Sequence, residues 1–286
     1  MIYGYTLWSN VFTHIMKELP HNSIKNISDF NRIKRDATKD DFIFFLALGR
    51  GAHKLHQEFH KKNFNLYPNP DFSLFIASRI EHLKEVDKIT RFPLKRQGYD
   101  SLTDVSFVPN LSEQVVMKVG NFHCGENKWL LKAGTKVPVL KYKLRNEPVL
   151  FEEFVPNGRS IRIGIVGDPN KEENFFISEH KNSEYAKYNP STSWIKNIAP
   201  IEKTYLYHER AMLNIPEIDE LIEETRNIAI RYNSDLIGID WVISEEKIGL
   251  LELNDMIGIP DDERVLDMFR NHTLQICKQY IENNTL

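Results

Sequence analysis

Cysteine is scarce in this sequence, and so are the features of secreted or membrane-spanning chains. The two cysteines, Cys124 and Cys277, have no metal-type pair spacing, and free thiols fit a reducing compartment. No run of roughly 18 or more apolar residues occurs, so no membrane span is expected. Residues 1–7 lack the basic start and long apolar stretch of a signal peptide. We therefore expect a cytoplasmic protein that does not enter a membrane.

A strong excess of charge of either sign is also missing. The 37 basic and 40 acidic residues give a net charge of −3, so the chain as a whole does not attract nucleic acid or anionic lipid. We expect neither as a partner. The hydrophobic content of 41% is that of an ordinary globular protein, and 286 residues can bury a core in roughly one to three lobes. A homo-oligomer and a monomer are both compatible with this composition.

The most informative pattern lies near the end of the chain, where two apolar runs, residues 235–244 and 248–255, flank a short charged turn. This spacing predicts a β-hairpin. Glu252 and Asn254 are two positions apart and therefore point to one strand face, which Asp240 joins if the strands are antiparallel neighbours. Two carboxylates and an amide oxygen suit a hard cation such as Mg²⁺, usually shared with nucleotide phosphates. The alternative is a polar face that meets solvent.

A lysine inside an apolar strand marks a second site. Lys118 lies in a strand predicted over residues 114–119, which leads into a loop with Gly120 and Gly125 and a partner strand over 128–131. A buried lysine needs a negative partner, and a loop that exposes backbone N–H groups can bind phosphate. The alternative is a tight hairpin whose lysine reaches solvent along its aliphatic stem.

Two more strands carry charged residues. Residues 149–156 are apolar except for Glu152 and Glu153, which favours either a hinge whose backbone contacts an adenine edge or a strand end with an exposed acidic pair. Arg162 lies in a strand of β-branched residues predicted over 160–166, and we expect it to face an anion rather than open water.

The remaining pattern predicts three segments: residues 1–88, 89–155 and 156–286. The first alternates apolar strands with amphipathic helices, which is typical of a small α/β unit. The sequence predicts the following elements outside the motifs above: strands over 2–6, 42–48 and 175–180, and helices over 11–19, 72–83, 217–231 and 265–280. Glycines in residues 49–53 favour a turn, with a loop at a ligand cleft as the alternative. Cys277 belongs to an apolar helix face and is expected in the core.

Taken in this order, the motifs resemble the ATP-grasp superfamily, and are most similar to synapsin and to the ribosomal-protein glutamate ligase and glutathione synthetase branch. The resemblance covers residues 89–286. It implies an α/β fold in which a small N-terminal pre-grasp domain, residues 1–88, precedes two grasp lobes, residues 89–155 and 156–286, with ATP between them.

The resemblance also implies roles for individual residues. Those expected to bind ATP are Lys118, Gly120, His123, Gly125, Glu152, Glu153, Phe154 and Val155. Those that fall on the Mg²⁺ ligands, where Mn²⁺ is an expected substitute, are Asp240, Glu252 and Asn254. Those that fall beside the transferred phosphate, as catalytic residues, are Arg162, Lys196 and Asn197.

The implied reaction is that of an ADP-forming carbon–nitrogen ligase. A carboxylate is activated by ATP to an acyl phosphate, which the amine of an amino acid, a peptide or a protein terminus attacks. A regulatory ATP-binding protein without turnover and a kinase acting on a hydroxyl are the alternatives. The chain departs from the family where Ser160 replaces a ribose-binding acid and Ile257 a proline. The family usually has a further lysine early in the first grasp lobe, and either Lys95 or Arg96 is expected to take its place.

Overall fold

The computed structural model of the chain describes residues 1–6, 9–19, 24–26, 30–46, 50–120, 127–140, 144–182, 201–255, 257 and 262–284. Three β-sheets follow one another along the sequence, and each lies within one of the three predicted segments. No described helix is long and apolar enough to cross a membrane.

The first sheet is parallel, with strand order β2-β1-β3-β4. Its strands are β1 (Ile2–Thr6), β2 (Ile24–Asn26), β3 (Phe42–Leu46) and β4 (Asn65–Tyr67). Its helices are α1 (Ser9–Glu18), α2 (Phe30–Asp36) and α3 (Arg50–Lys61). All five residues of β3 are buried, as expected for a central parallel strand covered on both faces.

Helix α3 corrects the turn predicted over residues 49–53. Residues 50–53 form its first turn, whereas residue 49 lies outside the described residues. Leu55 and Phe59 are four positions apart and are both buried in the core with β3. Burying this apolar face outweighs the roughly 1 kcal/mol that a glycine costs inside a helix, which is why the glycine signal misled the prediction.

Two helices, not one, occupy the segment predicted as helical over residues 72–83. They are α4 (Pro70–Ile76) and α5 (Arg79–Asp87). Ser78 separates them, because its hydroxyl accepts a hydrogen bond from the Glu81 N–H and so caps a new helix. Apolar residues of both helices nevertheless pack into one core with the third sheet, described below.

The second sheet is antiparallel, with strand order β5-β8-β6-β7. Its strands are β5 (Arg96–Tyr99), β6 (Gln114–Val119), β7 (Lys128–Lys132) and β8 (Val149–Glu153). The predicted β6–β7 hairpin is confirmed, with Lys118 opposite Lys128. Met117 and Trp129 are paired on the opposite face and lie in the sheet's own core. The two lysines therefore share the face that turns away from that core.

The third sheet is also antiparallel, with strand order β11-β10-β9-β12-β13. Its strands are β9 (Arg159–Val166), β10 (Phe175–Asn182), β11 (Ile201–Tyr207), β12 (Leu236–Ile243) and β13 (Ile248–Asn254). One face is almost entirely apolar and packs against α4, α5 and α6 (Ile218–Arg231). The other face is apolar at one end, where it meets the last helix, α7 (Glu263–Asn283), and at Val242 near the other end. The polar side chains between these two apolar parts form the candidate site.

Helix α7 also covers the first sheet. Val265, Phe269 and Cys277 lie in one core with Ile2 and Phe42. Cys277 is fully buried, as predicted, and burial raises the pKa of its thiol to about 12. The two ends of the described chain are therefore joined by a shared apolar core.

Candidate functional site

The polar hairpin face predicted from the sequence is confirmed. In the β12–β13 pair, Asp240 lies opposite Glu252 and Gly238 lies opposite Asn254, so the three predicted metal ligands share one face. Arg162 on β9 lies opposite Asp240 from the other side. The register therefore places the arginine and both carboxylates in one row across three adjacent strands.

Asp240 is bound by the arginine beside it. Arg162 donates from Nε and from its terminal nitrogen to the two Asp240 oxygens, at 2.6 and 2.8 Å. This is a two-point pair of planar groups, the strongest geometry available to arginine and carboxylate. The Asn254 amide donates to the same carboxylate at 3.3 Å. The anion that Arg162 was expected to face is thus, in this state, a side chain of the chain itself.

Glu252 is bound by cations from two other parts of the molecule. Arg79, the first residue of α5, donates to Oε1 at 3.1 Å, and Lys128 Nζ on β7 lies 3.8 Å from Oε2. Arg79 also donates to the Gly120 carbonyl at 2.9 Å. These contacts bring the hairpin of the third sheet against the lysine-bearing hairpin of the second sheet.

Arg79 was not predicted as a site residue. It is 3% exposed, and its position in the first turn of a helix gave no signal that it would be buried between two sheets. Its partners Gly120 and Glu252 lie far along the chain, at separations of 41 and 173 residues. A single sequence does not show such pairings.

Lys118 has the negative partner that its burial requires. Its ammonium lies 2.8 Å from Glu152 Oε1, and the two side chains are 4% and 1% exposed. Burial lowers the pKa of Lys118 to about 8, because the pull of Glu152 only partly offsets the loss of solvation.

Glu152 is shared between two cations. Besides Lys118, it accepts from Arg96 Nε at 2.7 Å, and Arg96 also donates to Asp87. Burial raises the pKa of the Glu152 carboxyl, but Lys118 and Arg96 together outweigh burial, and the net pKa is lowered. Arg96 is therefore held by ion pairs, whereas the neighbouring Lys95 is exposed.

The predicted hinge, residues 152–155, is held in place by backbone hydrogen bonds. The Glu153 N–H donates to Lys95 O at 3.0 Å, and the Phe154 N–H donates to Gln114 O at 3.1 Å. The Glu153 carboxylate accepts from the Lys95 N–H at 2.6 Å and from the Lys247 ammonium. Val155 is buried in a small apolar cluster. Strand β8 ends at Glu153, so Phe154 and Val155 form the connection toward the third sheet.

Gly120 directly follows β6 and has a conformation that glycine adopts easily. Its φ of 70° lies in the left-handed region, and its N–H donates to Pro148 O at 2.7 Å. The rest of the predicted phosphate loop, including His123 and Gly125, lies outside the described residues, as do Lys196 and Asn197.

The oxygen set of the hairpin fits a hard divalent cation. Asp240 and Glu252 are adjacent across the strands, and Asn254 adds an amide oxygen, which is a donor set that Mg²⁺ accepts. The described residues contain no group of three or more His, Cys, Asp or Glu side chains that could hold a metal. The site therefore provides two carboxylates rather than three, which leaves room for ligand oxygens. Arginines now neutralise both carboxylates.

Two further polar residues on this face were missed. Ser178 on β10 lies opposite Arg162, and His180 lies opposite Ser160. Both residues lie within the strand predicted over residues 175–180, and the alternation of a strand, which places Ser178 and His180 on one face, was the signal that could have identified them.

Comparison with solved structures gives likenesses over nearly the whole chain. D-alanine–D-alanine ligase from Bacillus anthracis complexed with ATP has a TM-score of 0.59 and 12% identity, covering 98% of this chain and 99% of that chain. N5-carboxyaminoimidazole synthetase from Staphylococcus aureus complexed with ADP has a TM-score of 0.60 and 10% identity, covering 96% and 76%.

A third likeness is to the ATP-grasp ligase PsnB complexed with a minimal precursor, Mg and ADP. Its TM-score is 0.51 and its identity 10%, covering 98% of this chain and 96% of that chain. A scan of protein-family models and a search of curated sequences each give no match. At sequence identities this low, the likeness shows a shared fold.

Proposed function

Because the chain has the ATP-grasp fold, we propose that it is an ATP- and Mg²⁺-dependent carboxylate–amine ligase that forms an amide through an acyl phosphate and releases ADP and phosphate. The observation that carries this proposal is the 3.8 Å approach of Lys128 Nζ to Glu252. It brings the lysine-bearing hairpin of the second sheet against the acidic hairpin of the third sheet. The ligases named above, with their bound ATP or ADP, support the same reaction class.

The cations between the second and third sheets are suited to neutralise a polyphosphate. Lys118, Lys128, Arg79 and Arg162 all direct cationic groups to the region between the two sheets, where they now pair with carboxylates. A bound triphosphate would offer the same cations a competing anion. Prepositioned charge of this kind stabilises phosphoryl transfer, which needs positioning and charge neutralisation more than covalent help from the protein.

Asp240, Glu252 and Asn254 would hold Mg²⁺, which, when bound, neutralises negative charge on the transferring phosphoryl group. Arg162, released from Asp240, would face the phosphate from the acceptor side and orient the incoming carboxylate. Of Lys95 and Arg96, the exposed Lys95 would take the place of the family's further lysine, since Arg96 is held by Asp87 and Glu152.

The remaining assignments rest on the resemblance. His123 and Gly125 would contact the phosphates, and Glu152 to Val155 would hold adenine. Lys196 and Asn197 would steady the acyl phosphate. The acceptor would be the amine of an amino acid, a peptide or a protein terminus.

The test is a screen for ATP consumption. The protein is incubated with ATP and Mg²⁺ and with mixtures of amino acids and dipeptides, and nucleotides and products are separated by chromatography and identified by mass. We expect ADP, phosphate and a condensation product whose mass shows loss of one water. The double variant Asp240→Asn with Glu252→Gln should release no ADP.

Other outcomes would point elsewhere. AMP and pyrophosphate as the main products would contradict the acyl phosphate. ATP binding with no ADP release from any mixture would support a regulatory protein. A stable phosphorylated product would support a kinase. Full activity in the double variant would remove the hairpin carboxylates from the mechanism.

A further inference from the structure

The polar face of the third sheet continues beyond the carboxylates, on strand β10. Ser178 lies opposite Arg162, in the row that runs on to Asp240. His180 is two positions further along β10 and therefore points to the same face. The register thus adds a hydroxyl and an imidazole beside the Arg162–Asp240 pair.

Both side chains carry a buried polar atom without a hydrogen-bond partner in the described part of the chain. These atoms are Ser178 Oγ and His180 Nε2, and Ser178 is only 1% exposed. Buried polar atoms are rarely left unpaired, and where two such atoms occur on one face beside a reaction centre, a ligand is the natural partner. Neither residue takes part in the ATP chemistry described above.

The two ring nitrogens of His180 have different surroundings. Nδ1 lies 3.1 Å from Thr204 Oγ1 on the neighbouring strand, whereas Nε2 has no such contact. Burial lowers the pKa of His180, and the positive charge of Arg162 lowers it further against the opposing charge of Asp240. The ring is therefore neutral near pH 7, with one nitrogen protonated. If Nδ1–H donates to Thr204 Oγ1, Nε2 carries a lone pair.

We propose that Ser178 and His180 form the subsite of the amine acceptor, in which His180 Nε2 takes the proton from the attacking amine. This inference rests on the proposed function and names the missing base of its second step. The neutral amine forms the C–N bond at the acyl carbon and becomes positively charged. His180 Nε2 accepts one proton, the C–O bond to phosphate breaks with its electron pair on phosphate, and the proton then passes to solvent.

The chemistry of the pair favours an amine over a second carboxylate. An amine N–H can donate to the Nε2 lone pair and another to Ser178 Oγ, so both orphaned atoms are satisfied by one group. A carboxylate only accepts hydrogen bonds and would be repelled by the lone pair. It would instead be drawn to Arg162, which is a cation on the same face. The amine is thus directed to Ser178 and His180, and the carboxylate to the neighbouring Arg162.

The first experiment separates acyl-phosphate formation from its capture. Wild type and His180→Gln are given ATP, Mg²⁺ and the mixtures of amino acids and dipeptides described above, which supply both carboxylates and amines. Hydroxylamine is added as the acceptor in one set of reactions and omitted from the other. Hydroxylamine is uncharged at neutral pH and needs no base. We expect hydroxamate formation to be retained in His180→Gln and amide formation to fall about 100-fold or more, as for loss of a general base. The matched control is His208→Gln, an exposed histidine just after β11, which should change neither product.

The outcomes distinguish the two proposals. If wild type gives neither ADP nor hydroxamate with any carboxylate, the ligase function is overturned and the subsite with it. If hydroxamate forms in wild type but His180→Gln lowers hydroxamate and amide equally, or lowers neither, the ligase function stands and only the subsite is overturned. Ser178→Ala should raise the KM for the amine and leave hydroxamate formation unchanged; an unchanged KM would remove Ser178 from the subsite.

A second measurement needs no turnover. Nitrogen NMR of ¹⁵N-histidine-labelled protein, with the His180 signals assigned by their loss in His180→Gln, reads which ring nitrogen is protonated. We expect proton-bearing Nδ1 and bare Nε2. Protonation of Nε2 in the neutral ring would overturn its role as the base.

Discussion

At the scale of single residues, the cations of the site form ion pairs with carboxylates of the same site. Lys118 is the clearest case, because its ammonium is buried, is paired with Glu152 and has a pKa of about 8. Only the protonated form attracts phosphate. In the free protein the proton is lost as the pH rises through about 8, so a phosphate that bound at Lys118 above that pH would have to restore it.

This predicts that the affinity for ATP falls as the pH rises above about 8, by up to about tenfold per pH unit. Calorimetric titration with MgATP on both sides of that pH measures it. Lys118→Arg keeps its charge and should show a flat profile there, whereas Lys118→Ala should bind weakly at every pH. A wild-type profile as flat as that of Lys118→Arg would show that Lys118 does not contact the phosphates.

Residue identities on the polar face could be predicted from the sequence, but their partners could not. Asp240, Glu252 and Asn254 stood out because polar residues interrupt two otherwise apolar strands, and alternation in a strand fixes their shared face. Arg162 was also expected to face an anion, but only the register identified Asp240 as its partner, and only the fold brought in Arg79, 173 residues from Glu252. Such long-range ion pairs depend on how sheets and helices are assembled, which local pattern does not encode.

At the scale of elements, strand β9 depends on a glycine for its packing. A Cβ added at Gly164 would lie 2.3 Å from the Phe176 ring on β10. Gly164→Ala should therefore destabilise the fold by about 1–3 kcal/mol, because the ring must leave its place in the core shared with α7. Urea unfolding measures the change.

The matched test is the double variant Gly164→Ala with Phe176→Leu. The smaller side chain makes room for the new methyl group, so the two effects should not add, and the pair should show a coupling of about 1 kcal/mol or more. Simple additivity would mean that the strand accommodates the methyl group by moving elsewhere.

Prediction of elements succeeded where apolar periodicity was the dominant force and failed where a local signal competed with it. The β6–β7 and β12–β13 hairpins were predicted because each couples two apolar runs through a short connection. Helices α4 and α5 were predicted as one, because their apolar spacing continues across Ser78, whose cap sets the break. At the start of α3 the prediction gave too much weight to the local signal. The glycines were taken to indicate a turn, but the amphipathic pattern of the segment determines a helix.

At the scale of the whole molecule, Arg79 ties three parts of the chain together. It extends from α5 to the end of β6 at Gly120 and to Glu252 on β13. Arg79→Met should cost about 3–5 kcal/mol of stability, because it removes the arginine that is paired with the buried Glu252 carboxylate. Thermal and urea unfolding measure this loss.

If Glu252 is a metal ligand, Mg²⁺ can replace the charge that Arg79→Met removes. We therefore expect saturating Mg²⁺ to raise the stability of Arg79→Met more than that of wild type. Adding Glu252→Gln to Arg79→Met should remove this difference. Equal Mg²⁺ effects in wild type and Arg79→Met would argue against a cation at Glu252.

The core that α7 shares with the first sheet has a consequence for synthesis of the chain. Ile2, Val11 and Phe42 share this core with Val265, Phe269 and Cys277, which are translated more than two hundred residues later. At about 5–20 residues per second, that interval is on the order of 10 to 40 s. During it the part of this core that α7 covers stays exposed to solvent, and exposed apolar surface of this kind is prone to aggregation until α7 has been translated.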